Sequence, residues 1–286
     1  MKWHIMTGMM LSLLTAPFPL TGDMALASGP PDLKETRLSA LHGDAESQYT
    51  LGGMYSTGKG ADKDRQQAAF WYTRAAFGGH AEAQYQLGIL YDSGDGVPQN
   101  YTQALEWLGK AAGQGHEAAK SHRGKILDHI KAVKSAAEKG ELDAQCTLGE
   151  MYAQGNGVPQ ADDTAVSWFR KAAEQSSASG QYHLGFMYAE GRGVPQDEKE
   201  AALWFTKAAE QGQADAQYHL SALYFKGKGV PNDPVLAHAW LSLAAAQGHT
   251  IARTNQGFAA SKLTPAQLAQ AQTLAAELQT KNAKQP

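Results

Sequence analysis

The sequence predicts an all-α solenoid of tandem helix pairs, and three observations carry that prediction. An octet close to Ala-x-Ala-Gln-Tyr-x-Leu-Gly recurs along the chain, a Gly-x-Gly-Val-Pro pentad follows it, and a tryptophan then marks the second half of each unit. Self-similarity at a fixed period is the mark of a repeat array, in which each unit buries its apolar face against its neighbours. No stretch shows the sustained alternation of a strand.

The octet is seen at Ala45–Gly52, Ala81–Gly88 and Ala214–Ser221. Its last residue recurs at Gly52, Gly88, Gly124, Gly149, Gly185 and Ser221, in steps of 36, 36, 25, 36 and 36 residues, so one of six units is shortened. Tyrosine follows three residues later at Tyr55, Tyr91, Tyr152, Tyr188 and Tyr224. The pentads are Gly94–Pro98, Gly155–Pro159, Gly191–Pro195 and Gly227–Pro231, and the tryptophans are Trp71, Trp107, Trp168, Trp204 and Trp240. An Ala-Ala-x-x-Gly close ends most units, as in Ala111–Gly115 and Ala208–Gly212.

Each unit reads as two helices joined by a glycine loop. Ala81, Tyr85, Gly88 and Tyr91 fall on one helical face. Gly94 stops that helix, because glycine enters the left-handed C-cap conformation without steric cost, and Pro98 blocks continuation. Asn100 or Thr102 caps a second helix through Ala104, Trp107, Leu108 and Ala111, which Gly115 ends. The tryptophans are expected in the core, filling gaps between helices.

The shortened unit, residues 117–140, lacks the glycine loop and the tryptophan, whose slot falls on Ala132. Ile126, Ile130, Val133 and Ala137 make one apolar stripe across the missing turn, which predicts a continuous helix of ~22 residues. The alternative is a compressed hairpin turning near Gly124-Lys125, since a lone glycine is a weak stop.

The remaining organisation is as follows. Residues 1–27 read as a signal peptide: Lys2 precedes an apolar Ile5–Leu14 run, and Ala25-Leu26-Ala27 has the form of a cleavage site. Residues 28–43 hold a linker and a capping helix over Asp32–His42. Residues 44–116 are repeats 1 and 2, and 141–249 are repeats 4 to 6. Residues 250–286 are a C-terminal capping helix and tail, with Thr264 as N-cap, Pro265 in the first turn and Ala266–Leu278 helical.

Charge and composition exclude several functions. With 25 Lys+Arg against 28 Asp+Glu, the net charge of −3 gives no electrostatic footprint for nucleic acid. No apolar run reaches the ~18 residues of a membrane span. The single cysteine, Cys146, permits no internal disulfide, and it takes the slot of Tyr49, Tyr85, Tyr182 and Tyr218, which points to packing. Gly53–Lys59 imitates a phosphate loop, yet Gly60 stands where a magnesium-binding hydroxyl belongs and no strand precedes it. His116-Glu117 opens like a zinc helix, but Lys120 replaces the second histidine. His80, His116 and His249 follow closing glycines, where a donor near a helix C-terminus is favourable. His183 and His219 share a register in adjacent repeats, at a separation awkward for one metal. No metal or cofactor is expected.

Comparison of the units locates a candidate surface. Counting from the first residue of the octet, registers 1, 4, 5, 7, 8, 10 and 11 are nearly constant and read as framework. Registers 2, 6, 9 and 13 vary and form one stripe on one helix face. The stripe residues taken as partner-binding are Glu82, Gln86, Ile89, Glu150, Gln154, His183, Phe186, Glu190, His219 and Lys226, with Phe225 beside them. Phe186 supplies an aromatic anchor on an otherwise polar surface.

The pattern A-x-A-x-x-x-L-G-x-x-Y-x-x-G-x-G-V, followed by W-x-x-K-A-A as in Trp107–Ala112 and Trp204–Ala209, resembles the Sel-one-like repeat family, relatives of tetratricopeptide repeats. The resemblance covers about Asp44 to His249. It implies a right-handed α/α superhelix whose concave surface binds proteins or peptides, in envelope regulation, assembly, toxin neutralisation or host contact. The signal peptide predicts a periplasmic protein, and a monomer is expected. Some cysteine-rich members have been described as penicillin-binding, and this chain lacks their cysteines. A β-lactam or wall-peptide hydrolase, and a non-catalytic wall-fragment binder, are the rival readings.

Overall fold

The computed structural model describes residues 31–282; the expected signal peptide lies outside them. Among the described residues every regular element is a helix. α1 (Pro31–Leu41) precedes two pairs, α2 (Ala45–Thr57) with α3 (Arg65–Phe77) and α4 (Ala81–Ser93) with α5 (Tyr101–Gly113). α6 (Glu117–Glu138) follows. Three more pairs are α7 (Leu142–Gln154) with α8 (Asp162–Glu174), α9 (Ala178–Glu190) with α10 (Glu198–Glu210), and α11 (Ala214–Lys226) with α12 (Pro234–Ala246). α13 (Thr250–Ala260) and α14 (Pro265–Asn282) complete the order. The chain divides into two compact units between Asp128 and His129, inside α6.

Local chemistry sets the helix ends. First helices stop at a left-handed glycine, such as Gly94 at φ 74°, whose N–H bonds back to Leu90 O. Four of the five second helices start at a capping side chain, Asp64, Asn100, Asp197 or Asp233, and α8 starts at Ala161 without one. Asn100 Oδ1 accepts from Gln103 N at 2.9 Å, which settles the choice between Asn100 and Thr102.

The constant glycine ending the octet is a seat for a ring or branched side chain. A Cβ on Gly149 would lie 2.5 Å from the Phe169 ring, and one on Gly88 would lie 2.6 Å from Leu108. Tyr72, Phe205 and Leu241 occupy the same second-helix register, each directly after the tryptophan. This corrects the expectation for the tryptophans. Phe169 and Phe205 are each 1% exposed, whereas Trp168 and Trp204 are only half-buried; Trp71, Trp107 and Trp240 are buried. Lys110, Lys171 and Lys207 lie 4.0, 3.9 and 4.0 Å from the Trp107, Trp168 and Trp204 ring centroids, explaining the W-x-x-K spacing as a cation–π contact one turn on.

Five buried glutamines at register 4 bolt successive repeats together. Gln48, Gln84, Gln145, Gln181 and Gln217 donate to the carbonyls of Ala40, Ala76, Ala137, Ala173 and Ala209 at 3.0–3.3 Å. Gln114, Gln175, Gln211 and Gln247 donate in turn to the Oε1 atoms of Gln84, Gln145, Gln181 and Gln217. In those four, hydrogen bonds at both ends of the buried amide offset its desolvation, so it fixes register at little cost.

The shortened unit is a single helix of 22 residues, not a hairpin. Its start keeps first-helix chemistry: Ala119 is fully buried and its N–H is capped by His116. Its end keeps second-helix chemistry, since Ala137 O accepts Gln145 Nε2. The array therefore holds five helix pairs and one fused helix, the continuous form that the Ile126–Ala137 stripe predicts. Gly124 keeps the octet register but faces open space, because no second helix returns to sit on it. Gly124→Ala should raise stability by about 0.5–1 kcal/mol through helix propensity alone, readable as a higher urea midpoint.

The ends are half-repeats. α1 acts as a second helix, with Ala40 buried beside Leu51 and Trp71. α13 acts as a first helix, with Gly257 in the octet-glycine register, so residues 250–286 hold two helices rather than the expected single capping helix and tail. α14 is capped by Thr264 and Gln267, whose backbone N–H groups bond reciprocally to each other's side chains. It packs on α12 and reaches α10, placing Ala275 and Leu278 against the Phe205–Trp240 core.

Candidate interaction face

The histidines that follow closing glycines are N-caps of the next helix, not C-terminal donors to the previous one. The Nδ1 atoms of His80, His116 and His249 accept from Ala83 N, Ala119 N and Ala252 N at 3.1, 3.1 and 3.0 Å. With Nδ1 accepting, the neutral ring carries its proton on Nε2. That nitrogen meets Glu46, Glu82 and Asp215 at 2.9, 2.8 and 3.3 Å. Each imidazole also lies against a register-5 tyrosine, with centroids 4.6 Å apart for Tyr49, 4.5 Å for Tyr85 and 4.7 Å for Tyr218. Where Cys146 replaces the tyrosine, Ser177 replaces the capping histidine, and their side chains are 3.5 Å apart. Cys146 is buried, as a packing residue should be.

This geometry takes part of the predicted stripe out of use as a free surface. Register 2 works at the repeat junction: Glu82 holds His116 and accepts from Gln86 at 2.9 Å. Burial raises the Glu82 carboxyl, but the hydrogen bonds from Gln86 and His116 outweigh it and hold the group below its usual range. Register 6 also packs. His183 stacks on Phe169 with centroids 4.7 Å apart and pairs with Glu150 at 2.9 Å. His219 stacks on Phe205 at 5.3 Å, edge-on to Phe186 at 5.9 Å, and burial pushes its pKa down. Burial also pushes the Tyr182 phenol beside it up to about 12. His183 and His219 are thus each held by a different phenylalanine. Among the described residues no group of three or more His, Cys, Asp or Glu is placed to hold a metal.

What stays open on the stripe is narrower. Gln154, Glu190 and Lys226 are exposed, and Ile89 and Phe186 are half-buried, Phe186 lying against the core around Phe205 and Leu220. The stripe also runs further than predicted. Phe258 in α13 takes register 9 and is 60% exposed. Extending the 36-residue step from Phe186 and Ala222 would have found it.

Charged contacts tie the glycine loops to the preceding repeat at a constant offset. Asp95 pairs with Arg65, Arg192 with Asp162 and Lys228 with Glu198. These loops therefore carry framework, and the resemblance of Gly53–Lys59 to a phosphate loop is accounted for by Gly58 acting as the C-cap of α2.

Among the described residues no helix is long and apolar enough to cross a membrane. The Sel1 repeat model matches residues 45–80, 81–116, 142–177, 178–213 and 214–249, more than half of the chain, and passes over the fused helix. No curated protein matches the chain in sequence. Among solved structures, a protective antigen of uropathogenic Escherichia coli displaying an SLR fold is 30% identical, with a TM-score of 0.43. That match covers 88% of this chain and 64% of the antigen, so the chain spans somewhat less than two thirds of that protein. A Sel1 repeat protein from Oxalobacter formigenes is 27% identical over 78% of this chain and 82% of its own, with a TM-score of 0.43. An immunity protein from Pseudomonas aeruginosa is 19% identical over 76% and 74%, with a TM-score of 0.31. With five matched repeats and helix pairs that meet through the constant positions of the pattern, this chain belongs to the Sel1 repeat family.

Proposed function

We propose that the protein is an exported, non-catalytic interaction module that holds a protein or peptide partner along the face carried by the first helices of its repeats. The observation that carries this reading is a division of labour. The constant registers, the capping histidines and the buried glutamines hold repeats together, while Gln154, Glu190 and Lys226 stand exposed on the same helix face without framework duty. Sel1 repeats typically mediate protein interactions, which fits that surface. The export reading rests on Lys2, the apolar Ile5–Leu14 run and Ala25-Leu26-Ala27.

A photo-crosslinking amino acid placed at Gln154, Glu190 or Lys226 should trap a discrete protein in the envelope fraction of the native host. The same probe at the exposed second-helix positions Ser167 and Lys199 should trap none. Adducts from the second-helix positions alone would overturn the assignment. Mass spectrometry of the mature protein should find Ser28 at its N-terminus, and retention of Met1 would count against export. Hydrolysis of a chromogenic β-lactam above a denatured control would remove the non-catalytic reading.

A further inference from the structure

One repeat junction lacks the ring stack found at the two before it. At those junctions an imidazole lies flat on a second-helix phenylalanine: His183 on Phe169 at 16° between planes, then His219 on Phe205 at 14°. One period further on, the same two registers hold Asn255 and Leu241. A short amide and a branched aliphatic chain cannot fill the space of two stacked rings, and a cavity of about 320 Å³ opens there between α11, α12 and α13.

The residues around the opening change in the opposite sense. Register 12 is Ala153 and Ala189 in the two preceding first helices but Phe225 here, and register 9 changes from Ala222 to Phe258. The Phe225 and Phe258 rings have centroids 6.1 Å apart, and both line the cavity. Bulk has thus been removed from the floor and placed at the rim. Leaving an apolar cavity unfilled costs stability, and a 60% exposed phenylalanine forgoes most of the gain of burial. A ligand side chain that entered would recover both.

Charge selects the ligand. Lys226 lines the cavity, no Asp or Glu does, and Lys262 Nζ sits 5.1 Å from the Phe258 ring. Resting on the reading of the first-helix face as the binding face, the geometry points to this cavity as its anchor pocket, taking an aromatic or branched aliphatic side chain from a partner peptide with carboxylates beside it. The ring enters between Phe225 and Phe258, and the carboxylates meet Lys226 and Lys262.

The test uses the full mature protein and fluorescein-labelled short peptides read by polarisation. The probe has a central phenylalanine flanked by aspartate and glutamate. Replacing its phenylalanine by alanine should weaken binding at least about tenfold, the value of one buried aromatic side chain. Replacing its acids by lysine should weaken it to a similar degree. In the protein, Ala222→Trp fills the cavity and Lys226→Glu reverses the rim charge without touching the core; both should weaken binding about tenfold or more. Lys226→Glu keeps the test decisive if Ala222→Trp fails to fold. Equal binding of the phenylalanine and alanine peptides, or indifference to both variants, would overturn the proposal. So would self-association abolished by Ala222→Trp in a protein that binds no peptide, since a second copy would then be the occupant. If only this inference is wrong, cross-links at Gln154 and Glu190 persist; if the broader reading is wrong, they are absent as well.

Discussion

Phe205→Ala should destabilise the second compact unit by about 3–5 kcal/mol, as expected for deleting a fully buried ring from a packed core. Phe205 is 1% exposed in a cluster with Leu220, Trp240 and Leu243, it rests on Gly185, where a Cβ would lie 2.9 Å from its ring, and the His219 imidazole stacks on it. The neighbouring Trp204→Ala should cost less, because that indole is half-buried, with Lys207 on its face and its Nε1 donating to Glu200 at 3.2 Å. Urea denaturation followed by circular dichroism measures both. Coupling between repeats is mainly to nearest neighbours, so the transition should broaden rather than vanish. A larger loss from Trp204→Ala than from Phe205→Ala would mean that the helix faces are assigned the wrong way round.

Gly229→Ala should cost about 3 kcal/mol, against about 1 kcal/mol for Gly227→Ala in the same loop. Both glycines are left-handed, at φ 68° and 65°, so the alanine strain is shared. The difference is what the new methyl meets. At Gly227 the nearest atom is Asn232 Cβ at 3.2 Å, a contact that slight movement relieves. At Gly229 it is the carbonyl oxygen of Glu198 at 2.0 Å, the backbone of the preceding repeat, which cannot yield without separating the two repeats. Gly96 and Gly193 meet Arg65 O and Asp162 O in the same way, at 2.2 and 2.3 Å. The comparison of the two melting temperatures is the check, and equal shifts would show that backbone strain alone explains the Gly-x-Gly motif.

Helix number and type were largely legible because each repeat restates the same local instructions: a capping residue, an apolar face, a glycine stop. The fused helix was legible too, since Ile126, Ile130 and Ala137 continue one face across the place where a turn would stand, and all three are buried. The candidate face was legible only in part. Variation between repeats is not freedom from structural duty: Glu82, His183 and His219 sit at variable registers and still pack on particular neighbours. Glu82 meets His116, and His183 meets Phe169 and Glu150. These pairings recur where both partners recur, as in Glu46–His80 and Glu82–His116, but each joins registers on different helices, which a comparison within one helix does not relate.

The sequence by itself determined the period, the helix pair in each unit and the position of every glycine stop, because these follow from dihedral preference and spacing along the chain. Only the tertiary structure decided what the constant positions are constant for. The octet glycine is a seat for the residue after the tryptophan, the second loop glycine lies on a carbonyl of the preceding repeat, the buried glutamine joins two repeats, and the histidine after the closing glycine caps the helix that follows. It also decided where the face opens, at the cavity beside Leu241 and Asn255. Gly185 and Phe205 lie 20 positions apart and Gly229 and Glu198 lie 31 apart. Such contacts are fixed when helices and repeats are laid on one another, and that packing is invisible to any window short enough to define a helix.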